Sequence, residues 1–200
     1  MRDGIKKIFV ITLLMSNLAG RAHSAFDRSL DNGFGTRAMG LAGAMSALGE
    51  DPYAMLWNPA AGVFMSRAMA GLTSGVLAGG NCQGLSISGV LPRLHGAAVG
   101  LSSSYLPAQK LGGGHDIQLA GSVGIPVDPT GRVAAGASFK LLRGGPRLGA
   151  PAGSVGGSGI DLGLMFRTPL KGGKSYFATG FSVLGAATSL RWSEGFEEKV

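Results

Sequence analysis

Asp116 to Pro126 reads DIQLAGSVGIP, and its side chains fall into two sets. Ile117, Leu119, Val123 and Ile125 share one face of an extended chain. Gln118, Ala120, Ser122 and Gly124 share the other. A strand with one greasy face and one face of small residues is the unit from which the rest of the chain can be read.

The same alternation recurs on both sides. In Arg132 to Leu142, the residues Val133, Ala135, Ala137, Phe139 and Leu141 oppose Arg132, Ala134, Gly136, Ser138 and Lys140. In Gly159 to Thr168, the set Ile160, Leu162, Leu164 and Phe166 opposes Asp161, Gly163, Met165 and Arg167. Gln83 to Leu91, His95 to Tyr105 and Ser175 to Gly185 repeat the pattern, and Ala68 to Leu77 is a first strand. Seven strands are therefore expected, mostly of about 9 to 11 residues, which is the length a tilted strand needs to cross a bilayer. Ala186 to Val200 is an extra strand or an outer loop.

Between these strands, short and long links alternate. Pro92-Arg93-Leu94, Val127 to Gly131 and Pro169 to Lys174 are turn-like. Ala78 to Cys82, Leu106 to His115 and the Gly/Pro/Ser-rich Arg143 to Ser158 are longer. That alternation suits an outer-membrane barrel, with short links on the periplasmic side. Lys140 and Arg167 fall on the small-residue face. On lipid each would cost about 2–4 kcal/mol at midplane, so that face is expected to line a lumen, together with Gln118 and Asp161. The alternative is a soluble β-sandwich with one wet face.

Upstream, the period changes. Gly33 to Val63 reads GFGTRAMGLAGAMSALGEDPYAMLWNPAAGV. Met39, Ala42, Met45, Ala47 and Leu48 recur at roughly helical spacing among small residues. Asn58-Pro59-Ala60 has the chemistry of a helix start, an Asn cap followed by a Pro whose φ is already set. Short helices are expected here, filling the space that the Gly, Ala and Ser face leaves free.

The N-terminus carries an export address. Met1 to Lys7 is basic, Ile8 to Met15 is apolar, and Ala22-His23-Ser24 supplies small residues for cleavage. The domain reading is residues 1–24 signal peptide, 25–66 helical hatch, and 67–200 barrel strands. The full sequence of 200 residues has 36 glycines and a formal charge of +7. Loss of the signal peptide would remove four basic residues and one acid, leaving a scattered +4 without interleaved aromatics. No nucleic-acid partner is expected from that balance. The absence of a Gly-X-Y period excludes collagen, and the apolar content excludes a disordered chain.

Sites for chemistry are sparse. Cys82 is the single cysteine and cannot form an internal disulfide. Gly33-x-Gly35-x-x-Ala38 imitates a dinucleotide loop without a preceding apolar strand or a βαβ unit. Ala120-Gly121-Ser122-Val123-Gly124 imitates a serine elbow but falls mid-strand. His95 and His115 fall beside links on opposite ends of the sheet, so a shared metal is not expected. No catalytic residue, metal or cofactor is expected, and the chain reads as a non-enzyme.

Residues 33–62 resemble the N-terminal signature of PorV/PorQ-type outer-membrane proteins of the FadL-like superfamily, transporters of long-chain fatty acids and other hydrophobic compounds. Gly35-Thr36-Arg37-Ala38, Gly40 to Ala44, Glu50-Asp51 and Trp57-Asn58-Pro59-Ala60 occupy the motif positions, with Ala61 inserted before Gly62. Gly136 to Leu142 and Ser158 to Arg167 also resemble family strands. The resemblance implies an all-β transmembrane antiparallel barrel of roughly fourteen strands with an N-terminal hatch in its lumen. Arg37, Trp57, Asn58, Pro59 and Ala60 would belong to that hatch or plug. About seven strands are then the N-terminal part of a longer barrel, or come from a truncated gene model. The implied roles are transport of a hydrophobic small molecule or an accessory role in type IX secretion. Outer-membrane lipid and a hydrophobic ligand or secretion-system proteins would be the partners. A structural envelope protein that binds a partner through its loops, without transport, is the alternative.

Overall fold

The computed structural model describes residues 35–41, 44–77, 82–108, 114–145, 154–170, 175–193 and 197–199. The signal-peptide expectation therefore lies outside the described residues, as do Gly33, Ala42, Gly43 and half of the link from Arg143 to Ser158. The chain is all-β, with a few short helices. Eight antiparallel strands pair in chain order, β1 (Met69–Leu77), β2 (Cys82–Leu94), β3 (Ala97–Ala108), β4 (Gly114–Pro126), β5 (Val133–Gly144), β6 (Val155–Pro169), β7 (Tyr176–Trp192) and β8 (Glu197–Lys199). The sheet is open, with β1 and β8 at its two edges.

All seven expected strands are present, and most are longer than expected. The link after β5 is correspondingly shorter, because β5 runs to Gly144 and β6 begins at Val155. Residues Ala186 to Trp192 continue β7, and 197–199 pair back on it as β8. The expected turn at Pro92-Arg93-Leu94 is also displaced. β2 runs through those residues and the turn is His95-Gly96, since Gly96 takes the left-handed φ of 85° that a tight hairpin needs.

The two faces of the sheet differ sharply. Leu72, Leu101, Val123, Phe139 and Leu164 belong to an open face of exposed apolar side chains. Leu72 is 71% exposed and Leu101 69%. The opposite face is covered by residues 44–65, so Ala98, Ala120, Ala134, Ser138 and Met165 are buried there.

The covering segment contains α1 (Thr36–Gly40), α2 (Ala54–Trp57) and a 3-10 helix at Pro59–Phe64. Helix is thus confined more tightly than the spacing of Met39, Ala42, Met45, Ala47 and Leu48 suggests. Residues 44–53 form turns instead. Their polar groups are committed elsewhere: the Ser46 carbonyl accepts from the Asn58 side chain, and the Tyr53 N–H donates to Asp51 Oδ1. Among the described residues, no helix is long and apolar enough to cross a membrane.

Candidate functional site: the covered face and its plug

The segment Tyr53 to Met65 lies on β2 to β6 because glycines leave room for its backbone. Gly124, Gly136 and Gly163 are neighbours on three successive strands. A Cβ at Gly136 would lie 2.6 Å from Ala60 N and 2.7 Å from Pro59 O. At Gly124 it would lie 2.7 Å from the same carbonyl oxygen, and at Gly163 2.8 Å from Pro59 Cδ. Any side chain at these three positions overlaps the plug.

Asn58 is the keystone of this contact and is fully buried. Its Oδ1 accepts from Ala60 N at 3.0 Å and caps the 3-10 helix. Its Nδ2 donates to Ser46 O at 2.6 Å and to Leu164 O at 3.0 Å. One side chain therefore ties two parts of the plug to the sheet. Pro59 and Ala60 are buried with it, and Trp57 is half-buried at the end of α2.

A second tie lies toward the short links. Arg167 donates to Phe64 O at 3.0 Å, reaches Glu50 Oε1 at 3.4 Å and stacks 3.5 Å from the Tyr176 ring centre. Arg37, on the exposed side of α1, donates to the backbone oxygen of Glu50 at 3.0 Å. Glu50 thus joins α1 to the Arg167 corner.

Toward the long links, polar side chains of the sheet satisfy one another. Lys140 Nζ lies 2.9 Å from Asp161 Oδ2, and both groups are buried. Asp161 Oδ1 also accepts from Gly185 N at 2.8 Å. Gly185 sits where the β6–β7 register slips between Ile160 and Leu162, and its φ of 69° favours glycine. The carboxylate so takes a backbone donor that the ladder has released. Ser86 and Ser104 approach at 2.9 Å and Ser122 and Ser138 at 2.7 Å between hydroxyl oxygens. Gln118 is buried on the same face.

The nine residues expected at the hatch or lumen therefore fall into one region: Gln118, Lys140, Asp161 and Arg167 on the covered face, Asn58, Pro59 and Ala60 packed against it, Trp57 half-buried beside them and Arg37 at the rim. The sequence left two ties unread. Tyr53 is buried and donates from its hydroxyl to Ser86 O at 2.8 Å, and the Ser88 hydroxyl donates to Pro52 O at 2.6 Å. Serines at alternate positions of β2 were the available signal. Ser122 is bonded mid-strand to another serine, which is not the geometry of a nucleophile elbow. His95 and His115 lie at opposite ends of the strands. No group of three or more potential metal ligands occurs among the described residues.

Comparison with protein-family models, curated proteins and solved structures gives no match. The resemblance to PorV/PorQ-type proteins therefore stands on the quoted residues alone.

Proposed function

We propose that the sheet is part of an outer-membrane β-barrel whose lumen is occupied by the Tyr53–Met65 plug, and that the protein takes part in transport of hydrophobic small molecules. The observation that carries this reading is the slope of the apolar band on the open face. The upper edge of the band is Leu85 on β2 and Val183 on β7. Followed through the register, the row of Val183 passes Leu162, Ala137, Val123 and Val99 and reaches β2 at Leu91. The edge thus drops by six residues across five strand spacings. At about 3.4 Å per residue and about 4.8 Å per strand, that is roughly 20 Å in 24 Å, a slope of about 40°. Strands tilted by about 35–45° to a bilayer normal give such a slope when a horizontal layer of acyl chains bathes them.

Band height agrees. Along β4 and one residue past its end, the exposed apolar residues run from Leu119 to Val127. That is roughly 27 Å along a strand, or about 21 Å vertically at this tilt, against an apolar belt of about 25 Å in barrels of this kind. A soluble monomer rarely exposes an apolar surface of such extent.

Two roles fit a plugged barrel of the family resembled: passage of a hydrophobic compound, or an accessory part in protein secretion. The test is fractionation followed by uptake. The mature chain should remain in the membrane pellet after alkaline carbonate washing. Liposomes holding it should take up a labelled long-chain fatty acid. Recovery in the aqueous supernatant refutes the membrane reading. Membrane retention without uptake, with secretion proteins copurifying, selects the accessory role.

A further inference from the structure

Where the covering segment joins β1, five residues line a cavity of about 260 Å³: Glu50, Met65, Ser66, Arg67 and Met69. It is smaller than the pockets of about 300–1,000 Å³ that take drug-sized ligands, so it suits a small metabolite. Part of its lining is apolar and packed. Met65 is fully buried and closes the 3-10 helix, its N–H donating to Gly62 O at 3.2 Å. It belongs to a cluster with Met55, Val90 and Ala98, against which Met69 also packs.

The rest of the lining is polar and reachable from solvent. Glu50 and Arg67 are both exposed and carry opposite charges, yet they do not pair with each other. Glu50 meets Arg167 through Oε1 at 3.4 Å, and its Oε2 has no partner among the described residues. The Arg67 guanidinium has none there either. Two opposite charges thus border one cavity without closing across it, and Ser66 adds a hydroxyl. A lone anion would be drawn by Arg67 and repelled by Glu50, and a lone cation would meet the reverse. A molecule carrying both signs satisfies both groups. Its apolar part has the two methionines to lie on, and their unbranched thioethers adapt to varied apolar shapes.

From this lining we infer that the cavity binds a small zwitterion, an α-amino acid with an apolar side chain. Its ammonium donates to Glu50 Oε2, its carboxylate accepts from Arg67, and its side chain rests on Met65 and Met69. The site lies on the covered side of the sheet and does not depend on whether the open face meets lipid. Occupancy ties the turn before α2, through Glu50, to the entry of β1, through Arg67. Met65 belongs both to the cavity and to the end of the 3-10 helix, so the ligand also steadies the plug.

The experiment is equilibrium dialysis of the full chain, in mild detergent, against tritiated L-leucine with unlabelled competitors. N-acetyl-leucine lacks the ammonium, leucinamide lacks the carboxylate, and glycine lacks the side chain. Exposed ion pairs contribute about two- to fivefold each, so each blocked leucine should bind more weakly than leucine by that factor. The apolar side chain should give leucine a lead of about tenfold over glycine. Arg67→Gln should erase the difference between leucine and leucinamide and leave that between leucine and N-acetyl-leucine. Glu50→Gln should do the reverse. Arg67 makes no bond among the described residues, so its variant should keep the fold, which far-UV circular dichroism checks. Leucine should also slow amide exchange at Met65 in the wild type.

No retention of leucine, or equal competition by all three analogues, overturns the site. Selectivity that neither variant changes places the binding elsewhere and overturns it as well. Stronger competition by O-phosphoethanolamine than by leucine assigns the cavity to a lipid headgroup and overturns the amino-acid assignment. None of these outcomes bears on the membrane reading, which the fractionation decides.

Discussion

Gly136→Ala is the sharpest probe of how the plug is held. The substitution adds one methyl group, and its ideal position is 2.6 Å from Ala60 N and 2.7 Å from Pro59 O. Both are backbone atoms, so no flexible side-chain end can yield. Gly136 is itself fixed between Gly124 and Gly163 by ladder pairs on each side. Overpacking of this kind costs about 1–3 kcal/mol, and exchanging Gly for Ala in a strand returns about 0.5–1 kcal/mol. The net expectation is a plug contact weakened by about 0.5–2 kcal/mol. Since 1.4 kcal/mol is tenfold, the displaced plug should become roughly 2- to 30-fold more populated. Amide hydrogen exchange reads this directly at Ala61 and Met65, whose N–H groups donate to Asn58 O and Gly62 O within the plug. The control is Gly121→Ala, one strand away on the open face. There the nearest atom to an added Cβ is Leu101 Cδ2 at 3.8 Å, an ordinary contact. Exchange in the plug should be unchanged by that variant. If the two variants give the same plug protection, the keyed contact between glycines and plug backbone is wrong.

Four further outcomes follow from the same geometry. Asn58→Ala removes the cap and two sheet or plug bonds, and should lower stability by about 2–4 kcal/mol, measured as the urea midpoint. Lys140→Met leaves the Asp161 carboxylate buried beside a methionine and should cost about 3–5 kcal/mol. Adding Asp161→Leu should recover much of that loss, which a double-mutant cycle resolves. At the β4–β5 turn, the Thr130 hydroxyl and the Val133 N–H hold the Asp128 carboxyl below its usual range. Its folded value is depressed, so its contribution is complete above the ordinary carboxylate pKa and is lost as pH falls through the folded value. The Val133 amide should therefore lose exchange protection in acid in the wild type, and Asp128→Asn should show no such transition. Leu101→Arg sits in the apolar band; it should cost about 2–4 kcal/mol in lipid vesicles. On a water-exposed face its effect would stay within about 0.5 kcal/mol.

The sequence made the faces legible because a strand's period is short and robust. Once the apolar sets of neighbouring strands are laid on one face, Lys140, Asp161, Gln118 and Arg167 must share the other. Which of them pair is a different matter. Lys140 meets Asp161 only because β5 and β6 pair Lys140 with Gly159 and Ser138 with Asp161, and the sequence does not state that register. The bulge at Gly185 was hidden for the same reason, since two residues of slip on β7 have meaning only against β6. Helix length failed differently. The spacing of Met39 to Leu48 marks Met45 as an inward residue, and Met45 is fully buried, with Ala47 and Leu48 half-buried. It does not say that the backbone saturates itself, and here Ser46 O goes to Asn58 instead.

These points also bear on what the plug does to the sheet. A strand with large residues on one side and glycine, alanine and serine on the other has no core of its own, because small side chains bury little area. The plug supplies the missing volume: Met55 against Gly100, Pro59 against Gly136, Met65 beside Val90 and Ala98. It reaches the sheet largely through backbone atoms and the Asn58 amide. The covered face is therefore held by close approach, hydrogen bonds and a limited set of large apolar side chains, Leu106, Leu142, Met165 and Leu190 among them, and the open face carries most of the rest. A medium that accepts those side chains must accompany such an arrangement. Under the proposed membrane reading, lipid on one side and the covering segment on the other answer the same alternation, with small residues at most inward positions from β2 to β6.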